Sequence, residues 1–203
     1  TSGTTADTYN VAVGYHAGLA VTDGTDNTLI GGLAGASLTT GNQNIALGRS
    51  ALSAGIGAGD NVAIGYAAMS ANTTGNANVA IGTQALNGAN NSGTSTYNIG
   101  IGFKAGLVTS TGTKNILIGG FAGDAITTAN YNIAIGHNAL STEDTGSRNV
   151  AVGFEALRDL NFDGNGYNTA MGFQAGAAMT TGVQNTLIGG LAGDDLQTGD
   201  NNV

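Results

Sequence analysis

The chain contains no cysteine, no proline and no tryptophan. Without cysteine there is no disulfide framework and no redox compartment to read, so packing alone must hold the fold. Without proline every backbone N–H remains free to donate. A fold whose segments lend N–H groups to one another requires that, because proline deletes a ladder bond wherever it sits. Its absence, with no Gly-X-Y period, also excludes collagen. Charge is scarce, at 9% of residues and a net −8. The five basic residues, Arg49, Lys104, Lys114, Arg148 and Arg158, do not cluster, which leaves no footprint for phosphate neutralisation and argues against a nucleic-acid partner. No apolar run approaches the roughly 18 residues that cross a bilayer, so no membrane insertion is expected. No basic-then-apolar leader opens the chain either. The 41% of apolar residues is too high, and the pattern too regular, for a disordered linker.

What the sequence has in quantity is repetition. Asn10, Asn27, Asn44, Asn61, Asn78, Asn98, Asn115, Asn132, Asn149, Asn168, Asn185 and Asn202 are spaced 17 residues apart, except for intervals of 20 before Asn98 and 19 before Asn168. The first eleven open the phrase Asn-x-x-aliphatic-Gly-x-x-Ala. Self-similarity at a short fixed period marks a solenoid, in which each unit contacts mainly its neighbours. The expected fold is all-β: a parallel β-solenoid, or β-roll, of about twelve 17-residue coils forming one domain over residues 1–203. At about 4.8 Å per coil the rod measures roughly 55 Å. It reads as an excised segment that begins within a repeat and stops at Asn202-Val203.

Numbering each coil from its asparagine, positions 2–4 form a short strand bounded by Asn and Gly. The coil from Asn61 suggests a second extended piece over residues 67–71, then a Thr-Thr-Gly-Asn turn. Stacked asparagine side chains are expected to form an amide ladder, a structural column that needs no ligand. Positions 2 and 4 are aliphatic or Thr and share one face of the strand; position 3 faces the other way and is never polar. A strand apolar on both faces is buried on both. One small coil has one interior, so the position-3 residues are assigned to packing between chains: Ala12, Leu29, Ala46, Ala63, Ala80, Gly100, Leu117, Ala134, Ala151, Ala170 and Leu187. The expected partner is the chain itself, as an intertwined or side-by-side homotrimer.

Position 3 co-varies with position 6. Leu29, Leu117 and Leu187 accompany Gly32, Gly120 and Gly190, whereas Ala or Gly at position 3 accompanies larger residues. This reads as volume compensation, with Tyr15, Phe103 or Phe173 lying over the glycine of the next coil. The pattern restarts near residues 10, 98 and 168, which defines three superrepeats. The insertions 87–97 and 158–167 are expected to bulge between them as loops.

Candidate chemistry is sparse. Asp159, Asn161 and Asp163, followed by Gly164, match the first half of a Ca²⁺ loop, but Ala170 stands where the bidentate Glu belongs. Apart from that candidate Ca²⁺ site no cofactor is expected. The Gly100–Gly102 pair resembles a dinucleotide fingerprint but lies inside a repeat without a βαβ unit. His16 and His137 have no shared acidic partner, and no carboxylate pair recurs at a fixed position, so no enzymatic activity is expected. Threonine pairs such as Thr39-Thr40 and Thr127-Thr128 suggest an ice-binding rank, and Tyr66, Phe154 and Phe162 suggest rings that stack on sugars.

The phrase from Asn61 to Asn76 resembles the Asn-Thr-Ala-x-Gly-Tyr-x-Ala-Leu-x-x-Asn-Thr-Thr-Gly repeats of phage tail-fibre-like proteins, over essentially all of the chain from Asn10. Gly59-Asp60-Asn61-Val62-Ala63-Ile64-Gly65 is also similar to the strand of trimeric autotransporter adhesin head repeats. Those heads are left-handed parallel β-rolls with a repeat nearer 14 residues. The resemblance implies a left-handed trimeric solenoid, found on a virion as a tail fibre or at a cell surface. Its expected role is a stiff structural spacer, the alternatives being an adhesin head that binds surface glycans and an ice-binding solenoid. A glycan or protein receptor is the implied outside partner.

Overall fold

The computed structural model describes residues 8–88 and 95–203. Eleven three-residue strands, from β1 (Val11–Val13) to β11 (Thr186–Ile188), pair in parallel with their neighbours in strict chain order. The fold is thus a β-solenoid of about ten turns, all-β among the described residues. Like positions stack on like: in β4 (Val62–Ile64) and β5 (Val79–Ile81), Val62 pairs with Val79, Ala63 with Ala80 and Ile64 with Ile81. Ten steps of ~4.8 Å make a rod of roughly 48 Å. Asn202 joins the asparagine column but opens no twelfth strand.

Among the described residues each coil has one strand, not two. Residues 67–71 are turns in which Ala67 and Met69 adopt positive φ, 53° and 50°. Alternate N–H groups there serve different purposes. Met69 N–H and Ala71 N–H reach the next coil at Ala85 O and Asn87 O, while Ala68 N–H and Ser70 N–H close local turns on Gly65 O and Ala67 O. Backbone bonding between coils therefore continues where strand geometry has ended. The glycine that ends each strand is compulsory: Gly65 has φ 131°, and a Cβ there would sit 2.5 Å from Gly82 O of the next coil.

The asparagine column is a continuous ladder inside the rod. Asn44 donates from both its backbone N–H and its Nδ2 to Asn27 Oδ1, each at 3.0 Å, and from Nδ2 to Ala58 O at 2.7 Å. Asn27 is bonded likewise to Asn10 and Gly41, and Asn61 to Asn44 and Gly75. The column members from Asn27 to Asn185 are buried, so these bonds replace the water that a buried amide would otherwise lose. In the 20-residue coil Asn98 keeps the N–H bond to Asn78 Oδ1, and the Thr96 hydroxyl donates to the same oxygen.

The alternation that turns Asn inward also turns position 3 inward. Leu29, Ala46, Ala63, Ala80, Gly100, Leu117, Ala134, Ala151, Ala170 and Leu187 are buried in the chain's own core, with only Ala12 of the end coil open. The assignment of these residues to an interface between chains is therefore corrected. They meet the position-8 alanines and the position-9 and position-12 side chains of their own chain.

The partner of position 3 in volume is position 9, not position 6. A Cβ on Gly35 would fall 2.8 Å from Leu29 Cδ2, and one on Gly123 2.7 Å from Leu117 Cδ2. Opposite Ala46, Ala63, Ala80, Ala134 and Ala151, position 9 holds Leu52, Met69, Leu86, Leu140 and Leu157, all fully buried. The coils that restart each superrepeat are small at both positions, and neighbours fill them from either side. A Cβ on Gly106 would lie 2.7 Å from both Leu86 Cδ2 and Leu117 Cδ1. The superrepeat is a packing rhythm of the core. The expected ring-over-glycine contact is absent: no aromatic ring of the preceding coil comes within 4 Å of a Cβ placed on Gly32, Gly120 or Gly190, and His137 of the following coil lies against Gly120.

Residues 158–167 stay in the coil stack instead of looping away. Leu160 is fully buried, Phe162 packs against the core, and Asn161 N–H reaches Thr180 O at 2.8 Å. Part of the insertion 87–97 lies outside the described residues.

Candidate functional surface

With position 3 inside, positions 2 and 4 face outward. None of their side chains is buried on any of the eleven strands. The outer face of the sheet is a strip of Val, Ile, Leu and Met, interrupted in position 2 by Thr28, Thr169 and Thr186. Exposure reaches 67% at Ile188, whereas Ile30, Val62, Ile64 and Ile101 are half-buried. At ~4.8 Å per strand and about 10 Å for three residues, the strip covers on the order of 500 Å², at the upper end of apolar patches on monomers.

Exposed columns two residues before and two residues after each strand flank the strip. On the position-6 side Phe103, Phe121, His137, Phe154 and Phe173 form one chain of rings, with centroids 5.2, 5.9, 5.7 and 5.4 Å apart. Phe121, from position 7, supplies the ring that Gly120 lacks. On the position-17 side Tyr131 lies between two cations: Lys114 Nζ is 4.9 Å and the Arg148 guanidinium 5.2 Å from its centroid. Arg148 also lies over Tyr167, at 5.8 Å. Lys114 donates to the Tyr131 hydroxyl at 3.1 Å, and that bond holds the phenol below its ordinary pKa. Arg49 lies over Tyr66 and Lys104 over Phe103. Four of the five basic residues thus border the strip on aromatic rings.

The other candidates do not assemble. The Asp159 carboxylate is gripped by Arg158, with bonds of 2.7 Å to each oxygen, which lowers its pKa. Asp163 accepts from the Thr145 hydroxyl. Among the described residues no three His, Asp or Glu side chains converge on a point that could hold a metal. The hydroxyls of Thr39, Thr127 and Thr180 donate to carbonyls of the next coil. Phe154 lies between His137 and Phe173, near-parallel to both at 11° and 8°, with centroids 5.7 and 5.4 Å away. His16 stacks on Tyr15 at 3.9 Å.

Two features escape the sequence pattern. Glu143 occupies position 12, a column that holds Leu38, Ile126 and Met179 elsewhere, and it is fully buried. Its Oε1 accepts from Gly146 N–H at 2.6 Å and its Oε2 from Phe162 N–H at 3.3 Å. Burial pushes its carboxyl above the usual range, and the neighbouring Asp144 adds to the push, against those N–H bonds. The second feature is a cavity of about 210 Å³ at the first coil, lined by Thr8, Asn10, Ala12, Gly18, Val21, Thr22 and Leu29. It lies beside Gly18, the counterpart of Gly106, and is the slot that Leu86 fills in the interior coil.

No protein-family model, no curated protein and no solved structure matches the chain. Among the described residues no helix is long and apolar enough to cross a membrane.

Proposed function

We propose that the chain is a structural shaft segment of a fibrous surface protein, of the phage tail-fibre kind. It acts as a stiff trimeric spacer and not as an enzyme, on a virion or at a cell surface. The observation that carries this reading is the apolar strip running the full length of the rod. Eight of the eleven strands turn an aliphatic pair outward and the other three replace one member with Thr, a surface suited to continuous lateral contact more than to one local ligand. Coil-to-coil hydrogen bonding through strand, turns and asparagine column resists bending. On this reading self-association uses positions 2 and 4, because position 3 lies inside the chain's own core and covering exposed apolar area is favourable in water. Light scattering on the size-exclusion-purified chain tests the reading. A particle three times the 19.8 kDa chain mass is expected; a stable monomer at micromolar concentration overturns it.

A further inference from the structure

The strip is nearly the same at every coil, so it holds two rods together without saying how far one slides along the other. The margins differ from coil to coil. Tyrosine at position 17 coincides with a ring at position 6 on the same level: Tyr97 with Phe103, Tyr131 with His137, Tyr167 with Phe173. The first coil repeats the match with Tyr9 and Tyr15.

When copies are related by a symmetry axis parallel to the rod, strands cross the contact in opposite directions. Position 2 then faces the neighbour's position 4, and one copy's position-17 margin faces the other's position-6 margin. With no slip, every one of those tyrosines meets a ring. Slip by one coil toward the C-terminal end instead sets Tyr9, Tyr97 and Tyr167 opposite Gly32, Gly120 and Gly190. Reversing one rod sets like margins together, with Tyr167 near Asp26 and Tyr131 near Asp60.

Resting on the assembly proposed above, we propose that the two margins are a register key: a second copy of this chain packs on the strip, parallel and level coil for coil, with position-6 rings against position-17 side chains. Arg148 then lies level with the neighbour's Phe154, a cation beside a ring. Charge agrees with a second copy as occupant. Of the described acidic residues only Asp26, Asp60 and Glu155 border the strip, so the others, apart from the buried Glu143, stay on surfaces away from it. Area agrees as well: strip and margins together span about 20 Å by 48 Å, near the ~800 Å² per partner that a stable interface needs.

The chain has no cysteine, so single substitutions report cleanly. Full-length chains carrying Ile133→Cys and Ile135→Cys, co-expressed under different tags, are oxidised, and the yield of mixed disulfide is measured. The same is done for Ile133→Cys with Ile118→Cys, with Val152→Cys and with Val62→Cys. Disulfide formation needs Cβ atoms about 4 Å apart, so a shift of one coil is resolved. The expected yield for 133 with 135 is at least tenfold above the others. A maximum at 118 or 152 means slip and overturns the register key, and a maximum at 62 means antiparallel rods and also overturns it. Val150→Cys with Val152→Cys repeats the test one coil on, should the first pair disturb folding. Light scattering of the wild-type preparation separates the two failures. A monomer removes the assembly and the register together, whereas an oligomer with the wrong maximum removes the register alone.

Discussion

Leu117 reaches out of its own coil and closes the space that Gly106 leaves one coil earlier, its Cδ1 lying 2.7 Å from where a Gly106 Cβ would stand. The same side chain lies 2.7 Å, through Cδ2, from the Cβ that Gly123 lacks. One leucine thus fills two glycine sites and couples neighbouring coils.

That coupling predicts a compensating pair. Leu117→Ala should cost about 2–5 kcal/mol through the cavity it opens. Gly123→Leu should cost roughly 1–3 kcal/mol by overpacking, since leucine already occupies position 9 with positive φ at Leu52 and Leu140. The double variant recreates an Ala/Leu coil and should lose less than the sum of the singles, by at least about 1 kcal/mol. Urea unfolding of the four proteins measures the coupling; strict additivity would show that positions 3 and 9 do not share the volume.

The asparagine ladder can be broken at one rung. Asn115 Oδ1 accepts from Asn132 N–H at 3.0 Å, and its Nδ2 donates to Ala129 O at 2.8 Å. Asn115→Ala orphans both buried groups, at roughly 1–3 kcal/mol each. Asn115→Asp keeps an acceptor but removes the donor and adds a charge, so it should be worse than Ala at neutral pH and should recover in acid. Melting temperatures across pH 3–8 would show whether that recovery occurs.

Glu143 predicts a second acid-side effect, of known sign. Its folded pKa lies above the unfolded value, near 4.5, because burial disfavours the charge. The folded chain therefore binds the proton more tightly. Stability is full below the unfolded pKa and is lost as pH rises through the folded pKa. Glu143→Gln keeps an acceptor for Gly146 N–H and cannot ionise. It should be more stable than the parent at pH 8 and show a flatter stability profile between pH 4 and 8. Equal slopes for the two proteins in that window would remove Glu143 as the cause.

The strip predicts a separation of fold from assembly. Ile135 is exposed on the lone chain, so Ile135→Asp should leave the far-UV circular dichroism unchanged while reducing the scattering mass to that of one chain. Ala134→Asp, one residue earlier and fully buried, should instead prevent folding. If both variants behave alike, the inside and outside of the strand have been confused.

Inside and outside were the part that sequence could not settle. The 17-residue beat from Asn10 to Asn202 made parallel coils legible at once, since nothing else repeats so shortly with Gly closing each strand. A period of two says that positions 2 and 4 oppose position 3, yet with both faces apolar it does not say which is buried. The clue lay in size: a coil this narrow accommodates Ala46 opposite Leu52, while Ile45 and Leu47 are too large to share that interior. The link between Leu117 and Gly120 is a true correlation with the wrong partner, because wherever position 6 is glycine, as at Gly32, Gly120 and Gly190, position 9 is glycine too. The cation-ring margins were hidden for another reason. Lys114, Tyr131 and Arg148 are 17 residues apart and look dispersed until the coils are stacked.

Stacking also gives the asparagine column a sense. Asn44 donates to Asn27 and accepts from Asn61, and the order holds from coil to coil. The side-chain dipoles consequently add instead of cancelling, as peptide dipoles do in a helix. The column has an electrical head and tail: each rung turns its N–H donors toward the preceding coil and its amide oxygen toward the following one. Two such rods lying parallel repel weakly along their whole length, so the apolar seam between them must overcome a field that the interior of each rod creates.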